Sequence, residues 1–340
     1  MNATEAPTST PTVLPVETRQ KLRQLLSAEE ISALTARSDW RGFWAIGTSW
    51  AMVAACFAMV AVWPNALTIL LALPLLAGRQ LAFAILQHEG AHGTLFKTRW
   101  MNDFFGDWLC ARPVWQHLPK YRAHHLVHHT RTGTDEDPDL SLHSGYPTTR
   151  ASMKRKFLRD LSGYTGIKLM LGLLLMDAGY FKWTVSNHVE KLPQDGRRWW
   201  NYPLDFLRNA GGMLLTNLLL WAMLSASGHG SLYVLWVVAY ITPFPLFVRI
   251  RSLAEHGMLP RVTDMFQNTR TTRAHVIERL FYAPMNVNFH LEHHAMAAVP
   301  FYRLPRLHAL LRERGAVKVP PSYREVLRIA GTPTGQARPS

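Results

Sequence analysis

Histidine is where this sequence concentrates its chemistry. There are 16 histidines in 340 residues, and more than half of them fall in short clusters. Tyr121 to Asp139 reads YRAHHLVHHTRTGTDEDPD and sets His124, His125, His128 and His129 close together. On a helix, His125, His128 and His129 stand at i, i+3 and i+4, so their rings share one face. The spacing recurs in HLEHH (His290, His293, His294), and HEGAH upstream supplies His88 and His92. At this histidine content an HxxHH pattern arises by chance about 0.04 times per chain, so two copies carry weight. Three imidazoles on one helical face suit a transition metal better than they suit water or an apolar core.

Counting donors narrows the chemistry. His256 follows Glu255 a few residues after an apolar run and joins His88, His92, His125, His128, His129, His290, His293 and His294 as a candidate ligand. That set is too large for one ion and fits two, at four or five donors each. Imidazole without thiolate suits Fe, Zn or Cu. The two cysteines, Cys56 and Cys110, cannot build a zinc ribbon or an iron–sulfur cluster, and they do not form a disulfide framework.

Carboxylates neighbour the candidate ligands: Glu89, Asp135, Glu136, Asp137, Glu255 and Glu292. Some of them are expected to accept the remote ring N–H and fix each imidazole's orientation. The acidic run Asp135–Asp139 serves equally well as a counterweight to local arginines. Asn286 and Asn288 are candidates for hydrogen bonding a metal-bound water. His124 lies off the shared face, and His117, His143, His188, His229, His275 and His308 stand alone; all seven are read as surface or satisfied core groups.

Two competing metal chemistries fit less well. His88-Glu89-x-x-His92 also spells HExxH, in which two histidines bind zinc and the glutamate is a general base. A membrane metalloprotease of that kind needs one further ligand and leaves HLVHH and HLEHH without a role. A carboxylate di-iron bundle asks for two ExxH pairs and further glutamates, whereas this chain offers Glu89 to His92. A non-catalytic metal or haem carrier is the third alternative.

The elements that must position these residues are membrane helices. Residues 43–63 and 66–86 are apolar runs of about the length that crosses a bilayer, separated by Trp63-Pro64-Asn65. Residues 211–226 and 232–248 form a second pair around Ser227-Gly228-His229-Gly230. Arg79 precedes His88 by nine residues and is expected at the headgroup level, with its helix continuing into water. Arg249 and Arg251 precede His256 in the same way. Neither short turn carries Lys or Arg, while residues 88–210 and 249–340 hold most of them. The positive-inside rule then puts both termini and the clustered histidines in the cytoplasm. The expected fold is an all-α integral membrane protein: four transmembrane helices in two hairpins, with a helical cytoplasmic cap carrying the histidines.

The remainder fills in around this frame. The net charge of +14 fits cytoplasmic loops of a membrane protein rather than a nucleic-acid-binding face. Residues 1–16 are expected to be a disordered tail without a secretory signal, and 17–38 one or two amphipathic helices at the membrane surface. Residues 100–115 are expected at the interface, as is the short apolar stretch 170–176. The basic helix 150–160 is a solvated face or a docking site for an electron donor or anionic headgroup. By these boundaries 1–38 is a tail with surface helices, 39–312 the membrane domain, and 313–340 a cytoplasmic tail.

HEGAH, HLVHH and HLEHH together resemble the three histidine boxes of the membrane fatty acid desaturase superfamily. DEDPDL after the second box, Glu255-His256 after the fourth span and Pro300, Leu304, Pro305 and Leu307 after the third box extend the likeness over residues 40–312. The run from Asp137 to Leu161 is similar to bacterial fatty-acid-acting members, which implies the bacterial inner membrane. The resemblance implies two non-haem iron ions, O2 as co-substrate, and attack on an aliphatic C–H bond of a fatty acid or acyl lipid. Desaturation is the expected outcome; decarboxylation of a free fatty acid to a terminal alkene, or hydroxylation, are its siblings. No HPGG-type haem stretch or flavin module is visible, so a separate ferredoxin, cytochrome or reductase is expected to supply electrons.

Overall fold

The computed structural model describes residues 16–333. The tail expected over 1–16 falls almost wholly outside them, as does most of the polar end from Gly331 to Ser340. The regular elements among the described residues are helices, and extended backbone meets only in isolated bridges such as Phe181 with Lys191. The two cysteines are free and buried.

Four helices are long and apolar enough to cross a membrane: Asp39–Val62, Ala66–His92, Asn201–Ala226 and Gly230–His256. The second starts where Asn65 Oδ1 accepts from the backbone N–H groups of Leu67 and Thr68, and it stops at Gly93 in the left-handed region (φ 66°). Its 27 residues rise about 40 Å, against about 30 Å of hydrocarbon. The excess turns at its end carry His88 and His92. In the same way the end of the fourth span carries Glu255 and His256.

The fourth span, apolar without interruption in the sequence, is broken. Thr242 (φ −112°, ψ −83°) separates Tyr233–Ile241 from Pro243–His256. Pro243 has no N–H to continue the first helix, but its fixed φ suits the first turn of the next. The break re-aims the last fourteen residues and so the position of His256.

Arg79 does not reach water as expected. It is buried at 6% exposure and donates through Nη2 to the carbonyl of Leu280 at 2.9 Å. The segment around Leu280 packs directly on the second span, where a Cβ on Gly78 would stand 2.3 Å from that same carbonyl. A backbone carbonyl beside an apolar helix needs a donor, and Arg79 is that donor.

The short helices Val16–Leu25 and Ala28–Thr35 are also placed differently from the expectation. Leu22, Leu26 and Leu34 are buried against Ala295, Val299, Leu304, Leu307 and Leu311. Their apolar faces cover protein around the third histidine cluster rather than lipid. Residues 100–115 form the helix Arg99–Phe105, a π-helical turn Gly106–Ala111 and a 3-10 turn Arg112–Val114, with Trp100, Phe104 and Leu109 exposed. The basic helix Arg150–Leu161 leads into Tyr164–Asp177, whose Tyr164, Ile167, Leu171 and Leu175 form an outward apolar stripe. The helix Tyr323–Ala330 brings Tyr323 into a cluster with Ile85, Ile250 and Ala254.

The contact at Gly78 gives a direct test of this packing. Gly78→Val drives two methyl groups toward the Leu280 carbonyl, an overpacking that costs roughly 1–3 kcal/mol. Its thermal midpoint in detergent should fall below wild type, while Gly47→Val, which meets nothing within 4 Å, should not show that loss.

Candidate metal centre

The three clusters meet. His88 and His92 end the second span, His125, His128 and His129 occupy the helix Leu118–Arg131, and His290, His293 and His294 occupy the short helix His290–Ala295. With His256 they sort into two groups, each with donor atoms within 4.8 Å of one another. The first is His88, His92, His125, His129 and His293; the second is His128, His256, His290 and His294. Eight of the nine are buried and His92 is half-buried.

The sorting follows helical geometry. In each HxxHH the outer residues, at i and i+4, go to one group and the residue between them goes to the other. His125 and His129 join the first group while His128 crosses to the second; His290 and His294 join the second while His293 crosses to the first. The two clusters thus exchange one imidazole each. The groups abut, with His129 stacked on His294 at a centroid distance of 4.1 Å and an angle of 13°.

The donor atoms are crowded at spacings that suit a shared cation as well as N–H···N hydrogen bonds. His125 Nε2 lies 2.9 Å from His92 Nε2 and 3.0 Å from His129 Nε2, and His129 Nε2 lies 3.0 Å from His293 Nε2. In the second group His290 Nε2 lies 2.9 Å from His256 Nε2. Two nitrogens about 2.1 Å from one ion and at right angles are about 3.0 Å apart, against about 3.4 Å for a tetrahedral pair. Neither ring nitrogen of His88 or of His294 has a hydrogen-bond partner. The residues therefore fit two ions.

Electrostatics keep the cage in ligand form. Burial first, and neighbouring imidazoles second, hold His125, His129, His290, His293 and His294 well below the usual imidazole value. They are neutral at physiological pH, as coordination requires. His128 departs from the pattern: burial pulls it down, but a 2.7 Å bond from its Nδ1 to Asp137 and the charge of Asp139 outweigh that and raise it. Asp137 holds the His128 ring with Nδ1–H outward and leaves Nε2 for the ion.

The other groups expected behind the ligands divide. Glu255 Oε1 lies 3.4 Å from His290 Nδ1 and accepts from Arg251 Nε at 2.6 Å. Glu89 lies 3.5 Å from His88 Nδ1, but its Oε2 accepts from Thr94 Oγ1 and the Phe301 N–H. Glu292 touches no ligand ring; it joins His308 Nδ1 at 2.6 Å to Thr271 Oγ1. Asn286 donates to Phe301 O and Asn288 to Thr272 O, both bracing backbone. Of the acidic run, Asp135 pairs with Arg261 and Glu136 with Arg131, whereas Asp137 and Asp139 bond His128 and His124. Both readings of that run are therefore realised, the first two carboxylates pairing with arginines and the last two with histidines.

Sequence reasoning missed two supports. Asn268 offers its backbone carbonyl 3.3 Å from His256 Nδ1, a contact no side-chain pattern announces. His308, read as a lone histidine, fixes Glu292 beneath the third cluster. His124 bonds Asp139 and stays outside both groups.

The sequence model described as fatty acid desaturase matches residues 61–326. The chain is also similar to a dihydrorhizobitoxine desaturase of Bradyrhizobium elkanii, 25% identical over 290 residues that cover 82% of this chain and 77% of that protein.

The bond between Asp137 and His128 sets a measurable expectation. Asp137→Asn removes the charged acceptor while keeping its shape, and metal affinity of the second group should fall about 10–100-fold. Chelator competition on the purified protein should then release one metal ahead of the other, and a variant that holds both as tightly as wild type would contradict the role given to Asp137.

Proposed function

The chain belongs to the fatty acid desaturase family, and from that premise we propose that the nine histidines hold two iron ions in an O2-dependent oxidase. The observation that carries the proposal is the division of nine imidazoles into groups of five and four, each with its donor atoms within 4.8 Å of one another. When bound and reduced, an iron pair supplies with O2 the oxidant needed to take hydrogen from an unactivated methylene of a fatty acid or acyl lipid. The chain's own residues do the rest. Asp137 keeps the remote N–H of His128 pointed away from the ions. Burial of the cluster excludes bulk water, and Phe83, Leu86 and Trp236 provide apolar surroundings on the side of the spans.

Desaturation is the outcome we favour, in keeping with the similar desaturase of Bradyrhizobium elkanii. Terminal alkene formation and hydroxylation use the same oxidant and differ in which bond is held beside it. The paired spans form two hairpins with the metal centre and both termini in the cytoplasm, supported by turns at 63–65 and 227–230 that lack Lys and Arg. The membrane domain covers 39–312, and electrons arrive from a separate ferredoxin, cytochrome or reductase.

The zinc protease reading has a specific observation against it. Glu89 would have to face a zinc-bound water, yet one of its oxygens is taken by Thr94 and the Phe301 N–H.

Purified protein should contain about two irons per chain. Cells expressing it should accumulate an unsaturated lipid product that is absent with His128→Ala. Mass spectrometry of lipids and volatile hydrocarbons separates an internal alkene from an alcohol or a chain-shortened terminal alkene. Retained turnover in His128→Ala and in a second histidine variant, or zinc in place of iron, would refute the assignment.

A further inference from the structure

A groove of about 330 Å³ runs between the basic helix Arg150–Leu161 and the last helix, Tyr323–Ala330. Phe157, Leu158 and Leu327 make its floor apolar, while Arg150, Lys154 and Arg328 make its rim cationic. No Asp or Glu lines it. Among the described residues these three cations form no salt bridge, whereas their neighbours are engaged: Lys156 lies over the Tyr146 ring and Arg249 pairs with Asp160. Glu325, three residues before Arg328, spends Oε2 on the backbone N–H and hydroxyl of Ser322. The two walls are locked together, since the Thr148 N–H donates to Ala330 O at 2.8 Å and a Cβ on Gly331 would stand 3.0 Å from Met153 Sδ.

The fourth span gives the groove its direction. Met153 packs with Leu253, near the end that carries His256. Asp160 Oδ1 accepts from Arg249 Nη2 at 2.9 Å, and a Cβ on Gly163 would stand 3.6 Å from Thr242 at the break within the span. The basic helix therefore descends along the fourth span from its histidine end toward the bilayer. Arg150, Lys154, Leu158 and Leu161 stand three or four residues apart, so they share one helical face. That face is cationic at the upper end and apolar at the lower, where Leu158 and Leu161 are exposed. It leads directly to the outward stripe of Tyr164, Ile167 and Leu171.

This order of charge and hydrocarbon selects an occupant. Two guanidinium groups and an ammonium offer charge-assisted hydrogen bonds to phosphate oxygens. An acidic protein would meet the rim but leave the apolar floor and its run toward the bilayer without a use. We propose that the groove binds an anionic phospholipid of the surrounding bilayer. Its phosphate lies among Arg150, Lys154 and Arg328, and one acyl chain follows Phe157 and Leu158 toward Leu161. Bound there, the lipid joins the last helix to the basic helix at the membrane surface. The inference uses neither the metal ions nor the substrate and stands apart from the oxidase reading.

The test is native mass spectrometry of the full-length protein in detergent, titrated with dioleoylphosphatidylglycerol or dioleoylphosphatidylcholine. These lipids share their chains and differ in net charge. Wild type should retain the phosphatidylglycerol preferentially, and Arg150→Gln, Lys154→Gln and Arg328→Gln should each weaken its binding about 5-fold. Arg155→Gln and Arg159→Gln remove exposed cations that do not line the groove and should change it less than about 2-fold. All five side chains are exposed, so each variant should keep the wild-type thermal midpoint. Glycerol 3-phosphate, a phosphate without a chain, should not displace the lipid. Equal retention of both lipids, unchanged binding in the three groove variants, or an equal loss in the Arg155 and Arg159 variants would overturn the proposal. So would displacement by oleate at equal concentration, which would give the groove to a free acid instead. No readout needs iron or turnover, so a failure of the oxidase reading would leave these results unmoved.

Discussion

The structure rests on nine imidazoles packed with their nitrogens toward one another. Contacts of 2.9–3.0 Å between ring nitrogens are tolerable in water or around a cation, and these rings are withdrawn from water. Burial removes the option of protonation for the five outlying rings outside the spans. Neutral rings so placed share N–H···N hydrogen bonds or face a cation together. The surrounding architecture serves to hold nine rings where they would not gather on their own.

That service is unequally distributed. The second span is a continuous helix capped at Asn65 and Gly93, with His88 and His92 in its last turns. The helix bearing the third cluster has only six residues, too few to persist alone. It is held from outside: Glu292 ties it to Thr271 and His308, Asn288 ties the preceding turn to Thr272, and Ala295 joins the leucines of the two N-terminal helices. Segments far from the metal in sequence are thereby part of its support.

Much of this was legible in the sequence because helical periodicity is local. The shared face of His125, His128 and His129, the four apolar runs, and the total of nine donors for two ions follow from spacing and count. The partition of the donors does not. His128 and His129 are adjacent residues that serve different groups, because neighbours on a helix point about 100° apart and each helix lies between two sites. Other features depend on contacts between distant segments. Arg79 looked like an interfacial arginine until Leu280 supplied a buried carbonyl. Glu292 looked like a partner for an adjacent ring until His308 arrived from sixteen residues away. Residues 16–35 carried an amphipathic pattern that lipid or protein could have satisfied equally.

The same distinction governs function. An imidazole cage fixes the oxidant, and its demands are written in residue type and spacing, so family membership follows from it. The choice of bond follows from what lies within a few ångströms of the cage on the side of the spans. Residue type and spacing do not fix those contacts, because they join segments distant in sequence, as where Gln80 donates to the Trp236 carbonyl.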